Sequence, residues 1–294
     1  MSLSVWLRLG RVSNLPTVWS NVIAALALSG ALGSGGANSV TIVLELAAVF
    51  SAFYVAGMFL NDAFDREIDR RERPTRPIPS GQVSAARVFA AGFGLLGAAT
   101  LATVLIARGT GAAPLRALGS ALTLALLIVG YDLYHKQNPF SPVLMGACRV
   151  MVYVTALFVV HNEPPALLLT GALVLWCYLI GLTYAAKQEA FNRLTRVWPL
   201  VFLAVPVVMG VRAGLDEPWV WPFLIVFVAW LLHALRFLRP GPERAVPEAV
   251  VRLIAGIALA DALHVAATGQ FGWALVCVAL CAATRVFQRV IPGT

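Results

Sequence analysis

Three aspartates, Asp62, Asp65 and Asp69, form the pattern in the sequence that points most directly to chemistry. On a helix with about 100° per residue, their side chains fall within about 60° of one another. Carboxylates on one stripe repel each other unless a cation lies among them, and Mg²⁺ commonly bridges one or two carboxylates to substrate phosphates. The spacing therefore predicts a magnesium site, with Asn61 as a further ligand.

Five arginines lie in or just after the same segment, and guanidinium groups bind phosphate oxygens as rigid two-pronged donors. Arginines beside metal-binding carboxylates predict a site for Mg²⁺ and a diphosphate. The alternative is a solvated run of charges that only keeps a loop out of the membrane, and the carboxylate spacing argues against it. The arginines are Arg66, Arg70, Arg71, Arg73 and Arg76.

The rest of the chain is too apolar for a soluble protein. Of its 294 residues, 60% are hydrophobic and 12% are charged, and the mean hydropathy is +0.81. A soluble domain carries about 25% charged residues. Soluble enzymes, disordered chains and disulfide-rich secreted scaffolds are therefore excluded, and the chain is expected to be a polytopic membrane protein.

Ten apolar runs approach the length of about 20 residues that crosses a bilayer. They predict an all-α fold, a membrane helical bundle with nine or ten transmembrane helices, in a single domain over residues 1–294. The ninth run is the weakest prediction because it contains charged residues, among them Asp261, which we expect to form a packing pair with His264. The runs are 14–32, 40–60, 84–107, 113–131, 141–160, 165–186, 197–213, 218–238, 246–267 and 270–290.

Basic residues are distributed unevenly along this chain, whose net charge is +8. With the N-terminus inside, 18 of the 22 Lys and Arg residues fall on the cytoplasmic side, three fall outside, and Arg149 lies within a span. This distribution follows the positive-inside rule, so we attribute the excess to membrane topology and the lipid bilayer and expect no nucleic-acid partner. We predict a multi-pass protein of the cytoplasmic (inner) membrane, with cytoplasmic active-site loops at 61–81 and 187–197.

The acidic segment also resembles a known signature. Asn61-Asp62-x-x-Asp65-x-x-x-Asp69, followed by Arg76-Pro77-Ile78-Pro79-Ser80-Gly81, is similar to the first motif of the UbiA superfamily of intramembrane prenyltransferases. With the span pattern, the resemblance extends to about residue 240. It implies helices around a central cavity that opens to lipid. It also implies Mg²⁺-dependent transfer of an isoprenyl chain from a polyprenyl diphosphate donor to a small-molecule acceptor.

The chain departs from this family where a second acidic motif is expected after the sixth span. Gln188 and Asn192 stand in place of two aspartates, so a second Mg²⁺ is expected to bind less tightly. Lys187 is then expected to contact the diphosphate directly, and Glu189 to supply a remaining carboxylate. A tenth span is the other departure, since the family usually has nine.

The same region indicates a divergent branch, similar to the EboC-like proteins of bacterial biosynthetic operons. This similarity rests on Gly181-Leu182-Thr183-Tyr184 with Gln188-Glu189, and on Cys148-Arg149 with Tyr153. It implies a small, polar cyclic or aromatic acceptor.

The predicted site combines these residues with others near the cytoplasmic ends of the spans. Asp62, Asp65, Asp69, Lys187 and Glu189 are the predicted catalytic residues, and Asp132 or Glu189 is expected to take the proton of the acceptor. Arg149 lies about 12 Å inside the fifth span, a depth at which a charge is usually functional, although a structural ion pair is the alternative. The predicted substrate-binding residues are Asn61, Arg66, Arg73, Arg76, Tyr131, Asp132, Lys136, Arg149, Tyr153, Tyr184, Gln188 and Asn192.

Three other functions are compatible with an acidic membrane helix. A transporter would more naturally place paired broken helices near the midplane. A lipid phosphotransferase of the CDP-alcohol type would need Asp-Gly-x-x-Ala-Arg, where this chain has Asn61-Asp62-Ala63-Phe64. A family member that binds an isoprenoid without catalysis is the third alternative, because the second pair of aspartates is missing.

Overall fold

Helices account for all the regular structure in the residues that the computed structural model describes, which are 3–33, 37–136, 138–188, 197–239, 241 and 245–291. This confirms the predicted all-α fold. The helices are α1 (Leu3–Leu9), α2 (Leu15–Leu28), α3 (Ala37–Phe64), α4 (Arg66–Glu72), α5 (Ala85–Thr110), α6 (Pro114–Tyr134), α7 (Ser141–Val160), α8 (Ala166–Ala186), α9 (Val205–Asp216), α10 (Val220–Leu235), α11 (Val246–Ala266) and α12 (Phe271–Val290).

Nine helical segments in the described part of the chain are long and apolar enough to cross a membrane. They correspond to the second to tenth predicted runs, with 3-10 turns extending α9 backward to Trp198 and α10 forward to Leu238. The chain is therefore a multi-pass integral membrane protein. The first predicted run, 14–32, forms the shorter helical stretch Val12–Leu28, which is about 26 Å long at 1.5 Å per residue.

The core of the bundle is built around α2 and α11. Nearly all of α2 is buried, and 78% of the spanning window of α11 is buried inside the protein, the largest share among the spanning helices. These two helices pack on each other, and α2 also packs on α3, α7 and α12. The charged residue buried in this core, Asp261 of α11, is 0% exposed and must therefore find its partners inside the bundle.

Glycines allow close helix contacts at two places in this bundle. A Cβ atom on Gly146 of α7 would lie 2.2 Å from the ring of Trp176 on α8. One on Gly256 of α11 would lie 2.5 Å from the Tyr178 hydroxyl, also on α8. The α8 helix is thus held between α7 and α11, and its C-terminal end meets the N-terminal halves of those two helices beside the cavity described below.

Candidate active site

A cavity of about 320 Å³ lies where the ends of α2, α3, α6, α7, α8 and α11 meet. One part of its wall is polar and the other is apolar, with Phe50, Phe53, Leu124, Ile128 and Leu182 among the apolar residues. Of the residues that the structure describes, two carboxylates line it, Asp65 and Asp132. The cationic side chains of the described lining are Arg11, Arg73, Arg76, Lys136, Arg149 and Lys187.

Asp62 and Asp69 lie on one face of the acidic segment and share a single arginine. The Arg76 Nη1 atom is 2.6 Å from Asp69 Oδ2 and 3.3 Å from Asp62 Oδ1. Asp62 also lies 3.4 Å from the guanidinium of Arg11, which precedes α2. Neither aspartate lines the cavity, but both hold arginines that do.

Asp65 occupies the junction between α3 and α4, and its side chain takes a different direction. Its Oδ2 atom is 3.4 Å from His135 Nε2 and 3.3 Å from Lys136 Nζ, both at the end of α6. Burial opposes ionisation of this carboxyl, but the hydrogen bonds and charges of His135 and Lys136 outweigh it and lower its pKa below the ordinary value. The carboxylate is thus held ionised in the cavity wall.

The donor set of this segment is compatible with Mg²⁺ only in part. Within the described ranges, no three acidic, histidine or cysteine side chains are grouped so as to hold a metal, so the predicted stripe of three carboxylates does not form a ready-made cage. Asp69 Oδ1 is buried without a hydrogen-bond partner, and Asp65 and Asn61 face the cavity. Mg²⁺ needs only one or two carboxylates when substrate phosphates and water complete its shell, and these oxygen donors fit that mode.

Asn61 and Asp132 connect α3 to α6 in the cavity wall. The Asn61 side-chain amide donates to Asp132 Oδ1 at 3.1 Å. Asp132 is only 4% exposed, and its other carboxylate oxygen, Oδ2, has no hydrogen-bond partner. A buried carboxylate oxygen without a donor is costly, and the residue that carries it lines the cavity.

Lys187 reaches the cavity from the C-terminal end of α8. Its Nζ atom donates to the Asn138 carbonyl at 2.6 Å and to Ser141 Oγ at 2.8 Å. Partial burial lowers the pKa of this ammonium group. Gln188 is buried but does not line the cavity, and Glu189 and Asn192 lie outside the described residues.

Arg149 belongs to a buried network that joins α7 to α2 and α11. Its Nη1 atom donates to Asn21 Oδ1 at 2.7 Å, and its Nη2 atom to Thr17 Oγ1 at 3.1 Å. Asn21 in turn donates to Asp261 Oδ2 at 2.8 Å, so the charge of Arg149 is balanced through one amide. Ser20 and Tyr153 also donate to Asp261, at 2.5 and 2.6 Å. The network fixes Arg149 at the cavity wall, so both predicted roles, substrate contact and structural pairing, are compatible with its position.

The sequence profile of the UbiA prenyltransferase family matches residues 21–250, which is more than half of the chain. The chain belongs to the UbiA prenyltransferase family.

Curated relatives in this family share shorter segments with the chain. It is 40% identical over 121 residues to the digeranylgeranylglyceryl phosphate synthase of Methanoregula boonei, covering 40% of this chain and 38% of the relative. It is 33% identical over 144 residues to the enzyme of the same name from Methanoculleus marisnigri, covering 47% of this chain and 45% of that relative. The matches thus span less than half the length of these relatives.

The fold also resembles that of a solved structure. This structure comes from work on the biosynthesis of digeranylgeranylglyceryl phosphate synthase in membranes, and the comparison gives a TM-score of 0.61 at 19% identity, covering 90% of this chain and 98% of the other. At this identity the similarity establishes the fold alone.

Not every residue predicted from the UbiA resemblance lies at the cavity. Tyr153 is fully buried and hydrogen-bonded to Asp261. Tyr184 lies outside the cavity lining because α8 turns its neighbours Thr183 and Lys187 toward it instead. Arg66 also lies outside, with its guanidinium 5.7 Å from the ring centre of Phe89. The structure does bring Asn61, Asp65, Arg73, Arg76, Tyr131, Asp132, Lys136, Arg149 and Lys187 to the cavity.

Four polar residues of the site were missed from the sequence. Arg11 and His135 contact the aspartates, Asn14 lines the cavity, and Asp261 supports Arg149. A polar residue within an apolar run was the available signal for Asp261. Its predicted packing pair with His264 was wrong, because Asp261 accepts hydrogen bonds from α2 and α7 and His264 Nδ1 has no partner.

Proposed function

We propose that this chain transfers an isoprenyl chain from a polyprenyl diphosphate to an acceptor inside the membrane. The observation that carries the proposal is a single cavity whose polar wall holds six cationic side chains and whose remaining wall is apolar. A polyprenyl diphosphate has the same division, with an anionic head on an apolar chain. The family membership supports the same reaction class.

The diphosphate group would bind at the polar wall. Arg73 and Arg76 approach it from the segment after α4, and Lys136 and Lys187 from the ends of α6 and α8. Guanidinium and ammonium donors aimed at one anion stabilise the charge that develops as the allylic C–O bond breaks. The isoprenyl chain would lie along the apolar wall, whose dryness keeps water from capturing the allylic cation.

Mg²⁺ would be held by Asp65 with Asn61 and by the neighbouring carboxylates Asp62 and Asp69. When bound, it would supply Lewis-acid polarisation of the leaving diphosphate. The aspartates have a second role within this chain, because Asp62 and Asp69 fix the position of Arg76.

The allylic cation and the acceptor would meet near the end of α6. The Tyr131 ring lines the cavity there and could face the cation, a role that buried Tyr153 cannot fill. Asp132 is the group placed to accept the acceptor's proton, because this carboxyl lines the cavity and its Oδ2 atom has no hydrogen-bond donor. The bond to Asn61 would keep that oxygen directed at the cavity.

For the acceptor, we propose a hydroxyl-bearing lipid with a glycerol phosphate head. The relatives are named digeranylgeranylglyceryl phosphate synthase, and the cavity has cations for a second anionic group, since Arg11 lines it from the segment before α2 and Arg149 from α7. A polar cyclic or aromatic acceptor, as expected from the EboC-like resemblance, is the competing case. We place the polar end at the cytoplasmic face on the basis of the uneven distribution of basic residues.

The test uses purified protein in lipid nanodiscs with Mg²⁺ and labelled geranyl, farnesyl or geranylgeranyl diphosphate. Each donor is paired with a prenylated glycerol phosphate or with an aromatic acid. Diphosphate release together with transfer of the label to the prenylated glycerol phosphate supports the proposal. Transfer of the label to the aromatic acid alone would contradict the proposed acceptor. Donor binding without release would indicate a non-catalytic isoprenoid-binding protein, and donor movement across the bilayer without release a transporter.

A matched pair of variants localises the chemistry. Asp65→Asn removes the ionised carboxylate from the cavity wall and is expected to abolish turnover. Glu67→Gln removes a carboxylate two residues away whose side chain is 61% exposed and whose ion pairs are with Arg66 and Arg70 at the surface, and it is expected to leave turnover unchanged. Undiminished turnover in Asp65→Asn would overturn the proposed site.

A further inference from the structure

A second group of cationic side chains lies outside the cavity, at the same end of the bundle. It consists of Arg236 after α10, Arg252 in the second turn of α11, and Arg285 and Arg289 near the end of α12, and we call it the arginine cluster. None of the four lines the cavity. Glu248 is the one acidic residue among their described contacts, and its side chain is 52% exposed.

The cluster is organised around two rings. The Phe237 ring contacts two guanidinium groups, with its centre 4.7 Å from the Cζ atom of Arg236 and 4.2 Å from that of Arg252. The Arg252 Nε atom donates to His233 Nε2 at 3.1 Å, so this histidine nitrogen accepts and is uncharged in that bond. The aromatic contacts hold the guanidinium groups close together although their charges repel.

The acidic residue balances only part of this charge. Glu248 contacts Arg252, and its Oε2 atom lies 3.9 Å from Arg285. Four arginines against one carboxylate leave an excess of positive charge in the described part of this end of the bundle. Such an excess at a membrane surface attracts anions.

The position of the cluster identifies the class of anion. The cluster lies at the ends of three helices able to span the membrane, and large apolar side chains beside it, Leu232, Val286 and Val290, are 59%, 55% and 79% exposed. On a helix that spans the membrane, apolar side chains with this much exposure contact lipid tails. A ligand that touches both features needs a phosphate head and acyl chains.

We propose that the arginine cluster binds the phosphate of an anionic phospholipid, at a site separate from the cavity. Basic pockets between spanning helices are suited to such headgroups, and guanidinium groups bind phosphate oxygens in bidentate pairs. The assignment does not depend on the chemistry of the cavity.

The site is also connected to the cavity by hydrogen bonds. Arg285 Nη1 donates to Gln288 Oε1 at 2.8 Å, and Gln288 Nε2 donates to Asn14 Oδ1 at 2.9 Å. Asn14 lines the cavity. A lipid held by Arg285 would thus support the contact between α12 and α2, and α12 lies beyond the residues that the UbiA profile matches.

The test compares phosphatidylglycerol with phosphatidylcholine in binding to the purified full chain, by native mass spectrometry and by thermal stabilisation in nanodiscs of the two lipids. Replacing Arg252 and Arg285 together by Gln is expected to weaken phosphatidylglycerol binding about 30-fold, which corresponds to about 2 kcal/mol. The matched control replaces Arg108 and Arg212, two exposed arginines at the other end of the bundle, by Gln. It is expected to leave phosphatidylglycerol binding unchanged.

Three results would overturn the proposal. They are equal binding of both lipids to the wild-type chain, an equal loss in the control, and displacement of phosphatidylglycerol by inorganic phosphate as effective as displacement by the lipid itself. Arg289→Gln serves if the double variant does not fold, because Arg289 is exposed in the last turn of α12. It is expected to weaken binding about fivefold, and an unchanged affinity would contradict the site.

Discussion

Replacing Asp261 with Asn tests whether one buried carboxylate holds Arg149 at the cavity. Asp261 is 0% exposed, and its two oxygens accept hydrogen bonds from Ser20, Asn21 and Tyr153. The substitution keeps the shape of the side chain, removes its charge, and replaces one acceptor oxygen with an NH₂ donor.

The expected cost follows from these contacts. Tyr153 can still donate to the remaining oxygen, and Ser20 already has a second acceptor in the Thr17 carbonyl at 3.1 Å. The Asn21 amide, which donates to the replaced oxygen, cannot rotate to accept from the new NH₂ group because Arg149 holds its Oδ1 atom. The loss of a hydrogen bond to a charged acceptor, about 1.5–3 kcal/mol, adds to the uncompensated charge of Arg149. We expect a total of about 3–5 kcal/mol, as for a buried ion pair that loses one partner.

The assay is denaturant-induced unfolding in mixed detergent micelles, arranged as a double-mutant cycle with Arg149→Gln. If the carboxylate acts through Arg149, the two costs are not additive and the coupling is about 1–3 kcal/mol. Asp216→Asn, at the exposed end of α9, is the control and should change stability by no more than about 0.5 kcal/mol. A cost below about 1 kcal/mol for Asp261→Asn, or strictly additive costs, would refute the reasoning.

Three further predictions concern the cavity and the packing beside it. Lys187→Gln should raise the KM for the polyprenyl diphosphate about tenfold in steady-state assays, because one ammonium group is lost from the polar wall; an unchanged KM would contradict that contact. Asp132→Asn should lower kcat by about 10²-fold or more with donor binding retained, as expected for loss of a general base, and binding that falls with kcat would point to a structural role. Gly256→Ala should destabilise the bundle by about 1–3 kcal/mol in thermal unfolding, because the new Cβ would lie 2.5 Å from the Tyr178 hydroxyl. Gly97→Ala, with no neighbour within 4 Å, should be neutral or stabilising by up to about 1 kcal/mol, and equal effects of the two would contradict the packing.

The helices could be predicted because hydrophobicity decides them locally. Each apolar run became a helix, and even the run with the weakest pattern, 246–267, forms α11 (Val246–Ala266). Its charged residues made this run the weakest prediction of a membrane span, because the sequence does not show that other helices surround it. Burial among α2, α8, α10 and α12 supplies the partners that lipid could not, which is why Asp261 is tolerated there.

The site could be predicted only where its residues are close in sequence. Asp62, Asp69 and Arg76 lie within one segment, and the arginine does contact both aspartates. Arg11 and His135 reach the same aspartates from far along the chain, so periodicity carried no information about these pairs. The Asp65 side chain takes a different direction because α3 ends at Phe64. The prediction had placed all three aspartates on one uninterrupted helix and did not include this boundary.

The arrangement of charges at the cavity explains why arginines accompany the aspartates of the acidic segment. Among the described residues, six cationic side chains line the cavity, and Asp65 and Asp132 are the acidic residues that face it. Asp62 and Asp69 contact Arg11 and Arg76 from outside the cavity lining, so they limit the movement of the guanidinium groups without neutralising the cavity surface. A wall built this way keeps its cations oriented before the substrate arrives. Substrate binding then loses less free energy to the ordering of long arginine side chains. The spacing of Asp62 and Asp69 therefore serves the arginines, in addition to the role in Mg²⁺ binding that we propose for these carboxylates.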